Sequence, residues 1–169
     1  ARANVLCLDK TGTITDGTME LHDEIEINQC DENIVGEVLG SFKDKNQTSE
    51  AILKKHDYEG KYEAETKMPF SSSRKMSGVK FKDVGSYVVG APEFVYPEGI
   101  STIKNRIDRF ASQGCRVLLL THSPSTPKKD ELPKTVKPVG MIVIQDHIRD
   151  DAFETIEYFR NNGVDVKVI

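Results

Sequence analysis

One stretch of the 169-residue chain concentrates groups that can act on phosphate: Asp9-Lys10-Thr11-Gly12-Thr13-Ile14-Thr15. It follows the short apolar run Asn4–Leu8, which reads as a buried strand, so Asp9 falls at the strand's C-terminal end, where open α/β sheets place their ligand chemistry. Aspartate is a competent nucleophile toward phosphoryl groups through an acyl-phosphate intermediate. Lys10 supplies positive charge near an anion, Gly12 allows close backbone approach, and the hydroxyls of Thr11, Thr13 and Thr15 offer neutral donors. By residue type alone an Asp in a Thr-rich turn is equally an N-cap. Seven such residues in this order favour the chemical reading.

The heptad resembles the phosphorylation signature of P-type ATPases, the ion pumps phosphorylated on aspartate, and departs from its usual form only by Ile14 for Leu. The resemblance implies that Asp9 is the phosphorylated nucleophile, that Asp9 and the main-chain carbonyl of Thr11 are Mg²⁺ ligands, and that Lys10 and Thr13 serve the transferred phosphoryl group. It also implies an inserted nucleotide-binding domain, and the middle of the chain carries segments similar to that domain's motifs. Asn46-Gln47-Thr48-Ser49-Glu50-Ala51 resembles the short helix whose acidic residue, here Glu50, contacts adenine. Within Pro69–Ser77 the resemblance implies that Phe70 stacks on the base, that Lys75 lines the pocket floor and that Arg74 acts nearer the phosphates. Gly90-Ala91-Pro92-Glu93 matches the lysine-glycine-alanine-proline-glutamate motif, except that Val89 stands where the lysine is expected. Gly90 permits close backbone approach, and Arg116 corresponds to an arginine that reaches the phosphates. Asp146-His147-Ile148-Arg149-Asp150 is similar to the return into the phosphorylation domain, with Asp146 at the ribose or hinge and Arg149 near the phosphates. On residue types alone, Glu50 suits a surface helix, Phe70 the core, Arg74 and Lys75 a solvated hairpin, and Arg116 a strand edge.

These residues need elements to position them. Ile34, Val35, Val38, Leu39 and Phe42 keep one face of a helical period, which predicts a helix capped by Asp31 and weakened by Gly36 and Gly40. A second short helix begins at Thr48. Tyr62–Pro69, Lys75–Lys82 and Ser86–Val89 are closely spaced strand-like segments, which favours antiparallel hairpins. Pro92 opens a short helix, Ile100–Ala111 is another that Gly114 ends, Arg116–Thr121 and Val139–Ile144 are strands, and Ser123–Pro138 is an exposed loop. Asp150 or Asp151 caps a helix through Phe159, Gly163 ends it, and Val164–Ile169 is a strand.

The two ends thus have βα texture and the middle does not. The expected architecture is α+β: an antiparallel sheet with flanking helices, inserted into a partial α/β haloacid-dehalogenase-like phosphorylation domain. Residues 1–18 begin that domain, 19–139 form the nucleotide-binding domain, and 140–169 return to it. The chain, which starts at Ala1 and stops on Val168-Ile169, reads as a piece of a longer protein. The expected partners are a nucleotide, ATP with Mg²⁺, and the remaining domains of the same polypeptide: the actuator, the rest of the phosphorylation domain and the transmembrane helices. Such a piece lies at the cytoplasmic face of the cell membrane and, by itself, binds nucleotide without turning it over.

Composition constrains the rest. With 23 Lys+Arg against 27 Asp+Glu and a net charge of -4, the chain lacks the basic footprint of a nucleic-acid or anionic-membrane binder, and nucleic acid is excluded as partner. The longest apolar run, Val117–Leu120, is far short of the roughly 20 residues that span a bilayer. Cys7, Cys30 and Cys115 follow no zinc or disulfide spacing, and Cys7 and Cys115 read as small buried apolar residues in a reducing compartment. None of the four histidines precedes a proline, so the pair typical of heavy-metal pumps is missing and the resemblance is to pumps for hard cations. A soluble haloacid-dehalogenase-like phosphatase is the alternative enzyme, disfavoured by Thr11 where its second aspartate stands, and a non-catalytic binding module is the other.

Overall fold

A computed structural model describes residues 3–126, 131–133 and 135–169. Part of the expected loop Ser123–Pro138 lies outside them. The chain divides into two compact units: Ala1–Glu20 with Asp146–Ile169, and Leu21–Gln145.

In the first unit, β1 (Val5–Leu8) pairs in parallel with β8 (Asp165–Val168), in the register Val5 to Asp165 through Leu8 to Val168. The helix α5 (Ala152–Asn161) precedes β8, and Gly163 at φ +74° ends it. Asp151 stands at its N-cap position but makes no capping bond, because its carboxylate is taken by the Arg149 guanidinium. The β1 strand forms as expected but is not buried: Val5 is 48% exposed and Cys7 is exposed, which corrects the expectation of a buried Cys7. Leu6 and Leu8 on the opposite side of β1 are half-buried, Leu8 beside Ala152 and Ile156 of α5, so only the side carrying Val5 and Cys7 is left open.

The second unit is built on a sheet in the order β2-β7-β6-β5-β4-β3. Its strands are β2 (Thr15–Glu26), β3 (Ala64–Ser71), β4 (Met76–Phe81), β5 (Gly85–Gly90), β6 (Arg116–Ser123) and β7 (Lys137–Ile148); β2 and β7 extend into the first unit. Successive pairs from β3 to β7 are antiparallel. Alternation divides the sheet's residues between two helical layers. One face sends Val88, Val117, Leu119, Met141 and Val143 into a core with Val95 of α3 (Pro92–Val95) and Ile103 of α4 (Ile100–Ala111). The other carries Val89, Leu118, Leu120 and Ile142 toward α1 (Ile34–Gly40) and α2 (Gln47–Leu53).

The α1 stripe is buried as its period requires, but Asp31 does not cap it. The Asp31 carboxylate instead accepts from the Asn33 amide (3.0 Å), the Tyr62 hydroxyl (2.7 Å) and the Lys61 ammonium. Lys61 first and Tyr62 next hold that carboxyl down at about 2. Gly40 serves a purpose its helix propensity hides: a Cβ there would lie 2.3 Å from the Tyr58 side chain, which packs directly on the helix backbone. Asn46 caps α2 by accepting from the Ser49 amide at 2.9 Å. Strand β2 has no counterpart in the sequence reading, since Asp16, Gly17, Glu20, His22, Asp23 and Glu24 break its alternation.

Candidate functional site

Two sets of predicted residues come together, one in each unit. In the first, Lys10–Ile14 form a tight loop immediately after β1, closed by the Thr15 amide donating to the Lys10 carbonyl. The Lys10 amide donates to the Ile169 carbonyl (3.1 Å), so the loop leaves the C-terminal end of the parallel pair β1–β8. Asp9 is exposed there, and its Oδ1 accepts from the Thr11 amide at 3.2 Å. Gly12 takes φ +80° at the loop's bend. Thr11 and Thr13 are exposed. Thr15 is not: it is 1% exposed, and its hydroxyl donates to the Lys10 carbonyl (3.4 Å) while accepting from the Gly12 amide (3.3 Å). This corrects the expectation that Thr15 offers a donor to a ligand; its hydroxyl is consumed in holding the loop's shape.

The predicted residues of the return segment lie beside this loop. Asp146 faces the Lys10 ammonium at 4.0 Å. Arg149 donates its amide to the Ile14 carbonyl (2.9 Å) and, with Thr13, lines a small cavity of about 190 Å³. Its guanidinium holds Asp151, with Nε at 3.1 Å from Oδ1. His147 Nδ1 lies 2.8 Å from Asp16 Oδ2. Asp16 is drawn down to about 2, chiefly by the Thr18 hydroxyl and amide and further by His147, and the Asp16 hydrogen bond raises His147.

In the second unit a cavity of about 450 Å³ opens between α2 and the strands β4, β5 and β6. Phe70, Lys75, Gly90 and Arg116, predicted from positions far apart in the chain, all line it. Phe70 is 52% exposed, an unusual state for a phenylalanine with a core beside it, and leaves its ring open to a ligand. The apolar wall is Leu39, Ile52, Val89 and Leu118, so the position expected to hold a lysine contributes a buried aliphatic surface. Lys75 and Arg116 are the charged residues of the lining, and both are cationic.

Backbone geometry fixes Lys75. It sits at φ +51°, a left-handed conformation uncommon outside glycine, held by its amide donating to the Ser71 carbonyl (2.8 Å) and its carbonyl accepting from the Ala91 amide (3.0 Å). Gly90 is required by the same contact: a Cβ there would fall 2.4 Å from the Lys75 carbonyl and 2.7 Å from Met76 Cα. The Lys75 ammonium then lies over the Phe94 ring, 5.6 Å from its centroid, a cation–π arrangement. Phe94 is a residue the sequence reading missed, although it follows Gly90-Ala91-Pro92-Glu93 directly.

The structure does not bring Arg74 or Glu50 into the lining. Arg74 turns its guanidinium back on the Pro69 carbonyl at 2.8 Å. Glu50 is exposed on α2, whose Asn46, Thr48 and Ser49 do line the cavity. A buried carboxylate was also missed: Glu37, 1% exposed on α1, accepts from the amides of Glu59 (2.8 Å) and Lys61 (2.9 Å).

Among known proteins, residues 3–169 match the haloacid dehalogenase-like hydrolases. A calcium-transporting ATPase, CtpE, of Mycolicibacterium smegmatis is 34% identical over 173 residues, which is all of this chain and 21% of that protein. A probable cation-transporting ATPase, exp7, of Streptococcus pneumoniae is 32% identical over 176 residues, again all of this chain and 22% of that protein. The chain thus spans about a fifth of the length of these relatives. Among solved structures, a zinc-transporting PIB-type ATPase superposes on 99% of the chain with a TM-score of 0.69 at 18% identity, over 25% of its own length. The catalytic domain of a CPx-ATPase, CopB-B, covers 98% with a TM-score of 0.60 at 16% identity, over 53% of its own length. At those identities the likeness is one of fold, and it extends over both units. The chain belongs to the haloacid dehalogenase-like hydrolases, and its curated relatives are cation-transporting P-type ATPases matched along its whole length.

Proposed function

We propose that the chain is the ATP-binding and phosphorylated region of a P-type cation-transporting ATPase, with residues 19–139 as its nucleotide-binding domain and residues 1–18 and 140–169 as parts of its phosphorylation domain. The observation that carries this is the cavity that gathers Phe70, Lys75, Gly90 and Arg116 from three strands and a turn. An exposed aromatic face suits a purine, and two cations with no acid in the lining suit a phosphate chain. Glu50 and Arg74 are proposed to reach the ligand from outside the lining.

Asp9 is the nucleophile. Its carboxylate oxygen attacks the γ-phosphorus, the bond from that phosphorus to the β–γ bridging oxygen breaks, and ADP leaves with the electron pair. Lys10, held toward Asp146, places a positive charge beside the reacting groups, and Thr13 and Arg149, which line one small cavity at the same loop, are proposed to contact the phosphoryl group. The Asp9 carboxylate and the Thr11 carbonyl are hard oxygen donors, a set that fits Mg²⁺ shared with substrate phosphates and water. Bound there, the ion supplies neutralisation of charge between carboxylate and phosphate.

Among the described residues no helix is long and apolar enough to cross a membrane. We place the region at the cytoplasmic face of the cell membrane, acting with the actuator, the rest of the phosphorylation domain and transmembrane helices of the same polypeptide. Its cargo is proposed to be a hard cation, the M. smegmatis relative being a calcium-transporting ATPase. The test is phosphorylation of the membrane-embedded protein by γ-labelled ATP. A label that hydroxylamine releases and that Asp9→Asn abolishes is expected; label persisting in Asp9→Asn overturns the assignment. The 169-residue chain alone is expected to take up no label.

A further inference from the structure

Phe70 is the wall between two cavities. The second, of about 480 Å³, shares Asn46, Ser49, Phe70 and Ser77 with the first and is closed on its other side by the turn Ser41–Lys45 and by Lys67 of β3. Two ammonium groups are fixed on successive carbonyls of that turn: Lys67 Nζ donates to the Ser41 carbonyl at 2.7 Å, and Lys45 Nζ donates to the Phe42 carbonyl. An ammonium has three donors, so each keeps two for another acceptor. Lys43 adds a third cation, and Asp44 is the single acid in the lining. Among the described residues none of the three lysines forms an ion pair, although the chain carries an excess of acidic groups.

Three lysines against one aspartate leave a lining charge of +2 in a protein of net charge -4. A concave wall of one sign concentrates counter-ions of the other. The ammonium groups are tied to main-chain carbonyls, so ordering them costs less side-chain entropy than recruiting free lysines. We propose that this second cavity binds a phosphate group, whose two negative charges match the lining. That group is either free, as inorganic phosphate or pyrophosphate, or carried by a nucleotide whose base lies on Phe70 and whose phosphates take this seat in place of the one beside Lys75 and Arg116. The free-phosphate case stands apart from the function proposed above, whereas the nucleotide case rests on it.

Amide shifts of the ¹⁵N-labelled chain at low ionic strength test the site with sodium pyrophosphate, ADP and adenosine, each against sodium chloride of equal ionic strength. Pyrophosphate is expected to move the amides of Ser41–Lys45 and Lys67 saturably. The double variant Lys45→Gln/Lys67→Gln should raise its Kd about fivefold or more, while Lys45→Arg/Lys67→Arg retains binding. Shifts no larger than those from chloride, or an unchanged Kd in the glutamine variant, overturn the proposal. Weakened ADP binding in that variant with adenosine unchanged assigns the phosphate to the nucleotide; weakened pyrophosphate with ADP unchanged assigns it to the free anion. Failure of the nucleotide reading has its own sign, ADP affinity indifferent to Phe70→Ala.

Discussion

At the scale of single residues, the side chains that matter most are held by partners that neighbouring sequence does not announce. Glu37 sits inside an apolar helical stripe because two main-chain amides, of Glu59 and Lys61, need its oxygens. Removing it leaves two part-buried amides without their acceptor and a gap in the helix packing, so Glu37→Ala should lower unfolding free energy by about 1–3 kcal/mol in urea titration. Phe94 holds the Lys75 ammonium, and Phe94→Ala is expected to weaken ATP binding about threefold to tenfold, with Phe94→Tyr close to wild type, read by calorimetry. The His147–Asp16 pair gives a pH dependence of known sign. His147 is raised, so its contribution is present below its ordinary pKa and fades as pH rises through the higher folded value. Asp16 is lowered from 3.8 to about 2, so its contribution is present above 3.8 and is lost as pH falls toward that lower value. Asp16→Asn should return the His147 imidazole toward its ordinary midpoint in an NMR titration; an unmoved midpoint would contradict the pairing.

At the scale of elements, legibility follows periodicity. Helices α1, α4 and α5 were readable because their apolar residues recur with the helical period, and the strands around Val79, Val88 and Leu119 because short apolar runs there are bounded by turn residues. Strand β2 was not, since its charged positions and Gly17 obscure the alternation. Cys7 was misjudged for a related reason: an apolar run announces a strand but not whether a neighbouring layer covers it. The cavity residues were found through motifs, whereas their supports, Phe94 and the φ +51° conformation of Lys75, depend on how the end of β5 meets the turn before β4. Gly90 is the hinge of that meeting. Gly90→Ala drives a Cβ onto the Lys75 carbonyl and should cost about 1–3 kcal/mol of stability, measured by the urea midpoint, together with a loss of ATP affinity.

At the scale of the molecule, charge distribution separates surface from site. The chain is acidic overall, yet the two cavities that meet at Phe70 carry Lys43, Lys45, Lys67, Lys75 and Arg116 against Asp44. That contrast suits a protein that draws phosphate-bearing molecules to this one face. The Asp9 loop stands in one compact unit with the Lys10–Asp146 and Arg149–Asp151 pairs around it, so the proposed nucleophile and the proposed base-stacking ring lie in different units. Recognition and chemistry are therefore separable by mutation. Titration of the wild-type chain and of Phe70→Ala with ATP, followed by calorimetry, tests the central claim most directly. Stacking worth about 1–3 kcal/mol predicts saturable binding in the wild type and an affinity about fivefold to 150-fold weaker in the variant, whereas equal affinities in the two proteins would contradict it.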